Sequence, residues 1–219
     1  YNLPRTADAR SFDLILEEPS VLDEQNKTTV KNAVNGHALS YLFANSSKNN
    51  NGGYFVQLEN VYLPLKATGL NSTFQNCSNL KNIYGDLTNI ETMTVAFQNC
   101  ANLTEIPYMP NLHMLGNNTF AYCTGLTSLT FYKVLTTWHT GALTGCTNIE
   151  TINLVDGWNI NTYVQHCPNL TQACLHDMIE KYANMTGKSS PVLNVGSTNL
   201  AKIDEEHKAM ATTKNVTLA

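Results

Sequence analysis

Between Phe74 and Leu170 the chain repeats one pattern: an apolar residue, two others, Cys, two others, Leu or Ile, two others, and a further apolar residue. Full copies run Phe74 to Ile83, Phe97 to Ile106, Phe120 to Leu129 and Leu143 to Ile152; a worn copy runs Val164 to Leu170. Their cysteines, Cys77, Cys100, Cys123, Cys146 and Cys167, lie 23 residues apart for three steps and 21 for the last. A fixed period in the twenties marks a solenoid, whose units are too short to bury an apolar side alone and must stack. The third copy places Leu126, Leu129, Phe131, Leu135, Trp138, Leu143 and Cys146 inward. The second does the same, offset for offset, with Leu103, Ile106, Tyr108, Leu112, Leu115, Phe120 and Cys123. Leu129 and Phe131 alternate as a short strand would, and a 3.6-residue spacing is absent, so the units are not helix pairs. The expected core column is Phe74, Phe97, Phe120 and Leu143 together with the five cysteines. After Gly85, Ile90 and Met93 fall one place late, which predicts a bulge. The short last step predicts Trp158 and Ile160 at inward positions.

The flanks carry different patterns. Tyr1 to Arg10 reads either as an arm that anchors the domain on a larger particle or as a frayed terminus over the first repeat. Phe12, Leu14 and Leu16 alternate as a strand that Pro19 ends. Val30, Val34, Ala38 and Leu42 are four apart, which favours an amphipathic helix over Thr28 to Asn45. The competing reading is a degenerate repeat, with Ser46 in the place of Cys. Lys48 to Gly53 is a polar loop, and Phe55, Leu58, Val61, Leu63 and Leu65 resume the array. Beyond Leu170, Leu175, Met178, Ile179 and Tyr182 mark a helix that Asn169 or Thr171 can cap. A strand over Val192 to Val195, a helix capped by Asp204 and a last strand at Val216 to Leu218 complete the chain. The organisation is therefore an N-terminal arm and cap (1–40), a repeat array (41–170) and a small α/β cap (171–219).

Composition narrows the function. Net charge is −4, charged residues are 14%, and the 13 basic residues are scattered. Nucleic acid needs clustered Lys and Arg, so it is excluded as a partner. No apolar run approaches the ~20 residues of a membrane span. The cysteines admit two readings, a disulfide or metal framework and a column of buried thiols. No CxxC pair exists, and stacked equivalent Cβ vectors run side by side, which favours the thiol column. Cys174 lies off the column, and its pairing stays open. The histidines fall at different repeat offsets, and no HExxH, GxSxG or phosphate-loop pattern occurs. His166 adjoins Cys167, but strand neighbours point to opposite faces. No catalytic residue, cofactor or metal is expected.

Outward positions on the repeat strands offer a binding face instead. Stacking aligns Tyr84, Asp86, Glu105, Met109, Thr130, Tyr132 and Asn153 into one surface, where solenoids usually bind. The tyrosines can stack on a sugar or an aromatic side chain, and Met109 and Val155 are expected as exposed apolar contacts.

Phe-x-x-Cys-x-x-Leu-x-x-Ile at this period resembles the BspA-type leucine-rich repeats of bacterial and bacteriophage surface proteins, from about Ser40 to Leu170. The tail from Gly196 through Leu218 resembles the segment that often closes such arrays, with Asn215 where Gly would be expected. The resemblance implies an α/β leucine-rich-repeat solenoid of ~23-residue repeats, rich in short strands. It also implies an extracellular, cell-surface or virion location and no catalytic residues. The expected partners are a host surface protein or glycan. The alternative is a structural virion subunit that meets other virion or envelope proteins, and oligomerises, through its arm and caps.

Overall fold

The computed structural model describes residues 12–15, 38–40, 58–63 and 67–219. The arm at Tyr1 to Arg10 and the polar loop at Lys48 to Gly53 lie outside them. Among the described residues, eleven short strands precede the first described helix: β1 (Phe12–Ile15), β2 (Ala38–Ser40), β3 (Leu58–Leu63), β4 (Gly69–Asn71), β5 (Asn82–Gly85), β6 (Thr92–Thr94), β7 (Met114–Leu115), β8 (Ser128–Thr130), β9 (Thr137–Trp138), β10 (Thr151–Asn153) and β11 (Thr162–Tyr163). The cap follows as α1 (Gln172–Lys181), β12 (Val192–Asn194), α2 (Gly196–Leu200), α3 (Glu205–Thr213) and β13 (Thr217–Leu218).

All the named pairings are parallel, each strand beside the equivalent strand of the next coil. One side carries β1-β3-β5 and then β8-β10; the other carries β2-β4-β6-β7-β9; β11-β12-β13 continue into the cap. The strand expected from Phe12 is present and pairs with β3. Of the helix expected over Thr28 to Asn45, only 38–40 is described, and it is a strand: Leu39 sits opposite Leu70. The pull of the neighbouring coil overrides a weak helical period that Gly36 already interrupts.

The spacing of the motif is turn spacing. Cys77 N donates to Phe74 O at 3.0 Å and Leu80 N to Cys77 O at 3.0 Å, and Cys100, Cys123 and Cys146 repeat the first bond. Each i to i+3 bond closes a turn and aims the third residue inward again. Phe74, Phe97, Phe120, Leu143 and the five column cysteines are all buried. The rings stack nearly flat, Phe74 on Phe97 at 5.3 Å and Phe97 on Phe120 at 5.5 Å between centroids. All six cysteines are free. Cys100, Cys123 and Cys146 donate Sγ–H to the carbonyls of Phe74, Phe97 and Phe120 at 3.1, 3.0 and 2.9 Å. Each Phe oxygen thus accepts twice, from the Cys amide of its own coil and the thiol of the next. A small apolar side chain with one weak donor meets both needs, burial and satisfaction of the second lone pair. Burial pushes the thiols of Cys77 and Cys146 up to about 12.

Polar positions form ladders of their own. Gln75 meets Gln98 at 2.8 Å, Asn99 meets Asn76 at 2.6 Å, Asn102 meets Asn79 at 3.2 Å and Asn82 meets Asn60 at 2.8 Å. Side-chain amides carry both donor and acceptor, so one residue type can pair with its own copy in the next coil. That accounts for a surface built on Asn and Thr and poor in charge.

The template fails in the coil from Leu103 to Leu115. Tyr108 was expected inward and Met109 outward. Tyr108 is 57% exposed, and Met109 is 4% exposed and part of the core. Pro107 lacks an N–H and cannot join the ladder. No strand forms there, the sheet divides between β5 and β8, and the two side chains exchange places. Val155 is half-buried against the core, so it is not an exposed contact either. The bulge after Gly85 coincides with a φ of +115° at that glycine, where a Cβ would sit 2.2 Å from Leu63 O. Trp158 is fully buried and Ile160 packs against the core, both as expected.

Candidate functional site

The strand face is less uniform than an ideal repeat would make it. Asn153 Nδ2 donates to Thr130 Oγ1 at 3.0 Å, so these two residues are locked together as a ladder. Asp86 is exposed, but it closes its own turn: its carboxylate accepts from Thr88 Oγ1 and, at 2.9 Å, from Thr88 N. Those two donations hold its carboxyl below the usual carboxylate range. Glu105 projects into solvent. Tyr84 and Tyr132 are 43% and 47% exposed. Met109, turned into the core, contributes nothing to this face.

In its place stands Tyr108, which sequence reasoning assigned to the core. Its ring meets Tyr132 edge to face, with centroids 4.6 Å apart and planes at 79°. The face therefore centres on a tyrosine pair from adjacent coils, with Tyr84 one coil before Tyr108. The signal for this was in the sequence, since a proline inside a strand pattern demotes that strand.

The cap holds a second cluster. Across α1 and α3 the rings of His176 and His207 stack at 3.6 Å. Asp204, whose side chain caps α3 by accepting from His207 N at 2.9 Å, also reaches His207 Nδ1 at 2.8 Å and His176 Nε2 at 3.6 Å. The bonds from His207 hold the Asp204 carboxyl below its usual range, and the Asp204 hydrogen bond raises His207. These three residues offer ligand atoms within 4.8 Å of one another, the one such grouping among the described residues. Two imidazoles stacked face to face cannot both aim in-plane lone pairs at one ion, so the arrangement fits a helix-docking cluster better than a metal centre. The histidines are 31 residues apart and meet only through the packing of α1 on α3, which no repeat offset foretells. His166 is exposed while Cys167 beside it is buried, and they point apart as expected.

The geometry defines a class first: a parallel β solenoid of stacked short coils, closed at its C-terminal end by a small α/β cap. The family follows from comparison. Residues 49–171 match the BspA type leucine rich repeat region in 6 copies, and the chain belongs to that family. A solved structure it resembles is the crystal structure of the T. pallidum leucine-rich repeat protein. That likeness has 18% sequence identity and a TM-score of 0.52, over 74% of this chain and 69% of that one. At that identity it speaks for the fold. No curated protein matches the chain. A repeat array of this family is a protein-interaction or adhesion module, often associated with the cell surface. No helix among the described residues is long and apolar enough to cross a membrane.

Proposed function

We propose that the chain is a non-catalytic recognition module, displayed outside the cell, that binds a surface protein of a host through the strand face around Tyr84, Tyr108 and Tyr132. The observation that carries this reading is the exposed Tyr108–Tyr132 pair. On that face Asp86 closes its own turn and Asn153 is paired with Thr130, whereas the two rings present apolar area to solvent. Tyrosine supplies large contact area at low entropic cost and is enriched where proteins bind proteins. Glu105, exposed on the same face, can accept hydrogen bonds from such a partner.

The test is binding of the intact chain to a panel of immobilised cell-surface and matrix proteins, compared with a variant carrying Tyr84→Ser, Tyr108→Ser and Tyr132→Ser. Loss of the three tyrosines should weaken binding by about two orders of magnitude, with an unchanged melting curve. Equal binding by both chains would place the contact elsewhere. The alternative, a virion subunit assembled through its arm and caps, predicts instead that deleting Tyr1 to Arg10 releases the chain from its assembly.

A further inference from the structure

The ladder of carbonyls on the β9 side of the solenoid stops abruptly. In successive coils Glu91 O accepts from His113 N at 2.9 Å, and His113 O accepts from Thr136 N at 2.7 Å. Met93 O accepts from Gly116 N, and Leu115 O from His139 N. The next members of these columns are Thr136 and Trp138, on and beside β9. No strand follows them, because β9 is the edge of its sheet and β11 pairs away from it, with β12. The thiol ladder ends at the same place, at Cys146. Two indoles account for the break. Where earlier coils place Leu70, Met93 and Leu115 in this column, here Trp138 meets Trp158 edge to face, at 6.2 Å and 79°. Trp158 is anchored by its own Nε1–H to Thr162 Oγ1 at 2.8 Å. So bulky a pair cannot be closed to the ~4.8 Å spacing of paired strands.

The coils part around a cleft of about 440 Å³, bounded by β9, by the segment leading into β11, and by the Ser189–Pro191 entry to β12. That volume lies in the range of ~300–1,000 Å³ for small-molecule sites. None of its lining residues is charged. Among its lining residues Thr137, Asn159, Tyr163 and Ser189 carry hydroxyl and amide groups, and Trp138, Tyr163 and Ile160 carry apolar surface. Trp138 also leaves its indole Nε1–H buried and without a hydrogen-bond partner.

We propose that this cleft between the repeat array and the cap binds a neutral saccharide, one or two pyranose units in size. Vicinal hydroxyls of a sugar both donate and accept, as the amide of Asn159 and the hydroxyls of Thr137, Tyr163 and Ser189 require. Its C–H face matches the aromatic and aliphatic lining. An anionic ligand would find no cation among the lining residues. An inserted peptide strand would find only two residues of edge on β9 and two on β11, too few for a ladder. The site lies on the opposite sheet from Tyr108 and Tyr132 and is independent of the protein-binding face proposed above.

The chain has two tryptophans, and both stand at this junction, so indole emission reports occupancy directly. The experiment titrates the full chain with glucose, galactose, mannose, N-acetylglucosamine and their common disaccharides. Glucuronic acid serves as the anionic control, and saturation-transfer NMR is run in parallel. At least one neutral sugar should shift the emission and receive saturation transfer at millimolar concentration or below. Asn159→Ala and Tyr163→Ala should each weaken it roughly tenfold. Tyr108→Ser with Tyr132→Ser should leave it unchanged. Absence of any response to neutral sugars would overturn the proposal. So would binding that survives Asn159→Ala combined with Tyr163→Ala in a chain of unaltered melting temperature, or preference for glucuronic acid over glucose.

Discussion

Two columns of left-handed backbone run down the array, and the residues in them decide local strain. One holds Asn76, Asn99, Tyr122 and Gly145, with φ of 65°, 63°, 62° and 72°; the other holds Ser72, Val95 and Asn118, at 51°, 56° and 50°. Gly and Asn tolerate this region, and a β-branched residue does not. Val95 is therefore the most strained member, held by Val95 N donating to Asn117 O at 2.9 Å and by the coils on either side. Val95→Asn should stabilise the chain by about 1 kcal/mol, raising the melting temperature by roughly 2–4 °C for a chain of this size. A lower melting temperature would mean that the half-buried Val95 side chain contributes more packing than its backbone costs. The motif itself was legible at this scale because the Phe and Cys spacing recurs beyond chance. Tyr108 and Met109 were misread because the offset template was carried across Pro107, whose missing N–H breaks the ladder on which that template depends.

The coil is the unit of cooperation. Phe120 is fully buried, stacks on Phe97, and lends its carbonyl to both Cys123 N and Cys146 Sγ. Phe120→Ala removes the ring contacts of one coil and opens a cavity beside the preceding one. It should cost roughly 3–5 kcal/mol, transfer plus cavity. Because coils in a solenoid are stabilised by their neighbours, amide exchange should accelerate over the coils of Cys100, Cys123 and Cys146 together. Acceleration confined to residues 118–126 would mean that the coils open independently. Elements of the cap follow the sequence closely. Thr171 accepts from Cys174 N to cap α1, and Asp204 accepts from His207 N to cap α3. Asn215 takes the left-handed turn at a φ of 56° in place of the expected Gly. What the pattern left out is how elements meet. The His176–His207 stack depends on the crossing of two helices, and the cleft on where a sheet ceases to propagate; neither is written in any one repeat.

Across the whole molecule the thiol column makes the fold sensitive to alkali. Cys77 and Cys146 are raised from 9.0 to about 12 by burial, and Cys100, Cys123 and Cys167 are raised as well by the same cause. An acid whose folded pKa lies above its unfolded value contributes stability in full below the unfolded value. That contribution falls as pH rises from there toward the folded value. Above pH 9, then, the unfolded chain releases thiol protons that the native chain retains, and each such thiol removes about 1.4 kcal/mol per pH unit. Five acting together exceed a typical stability of about 5–15 kcal/mol within one to two pH units or so. Under reducing conditions, thiolate absorbance should therefore appear in one cooperative step that coincides with loss of the β-sheet circular dichroism signal. Gradual ionisation near pH 9 with the signal intact would show thiols open to water, and the column could not then be the core that holds successive coils together.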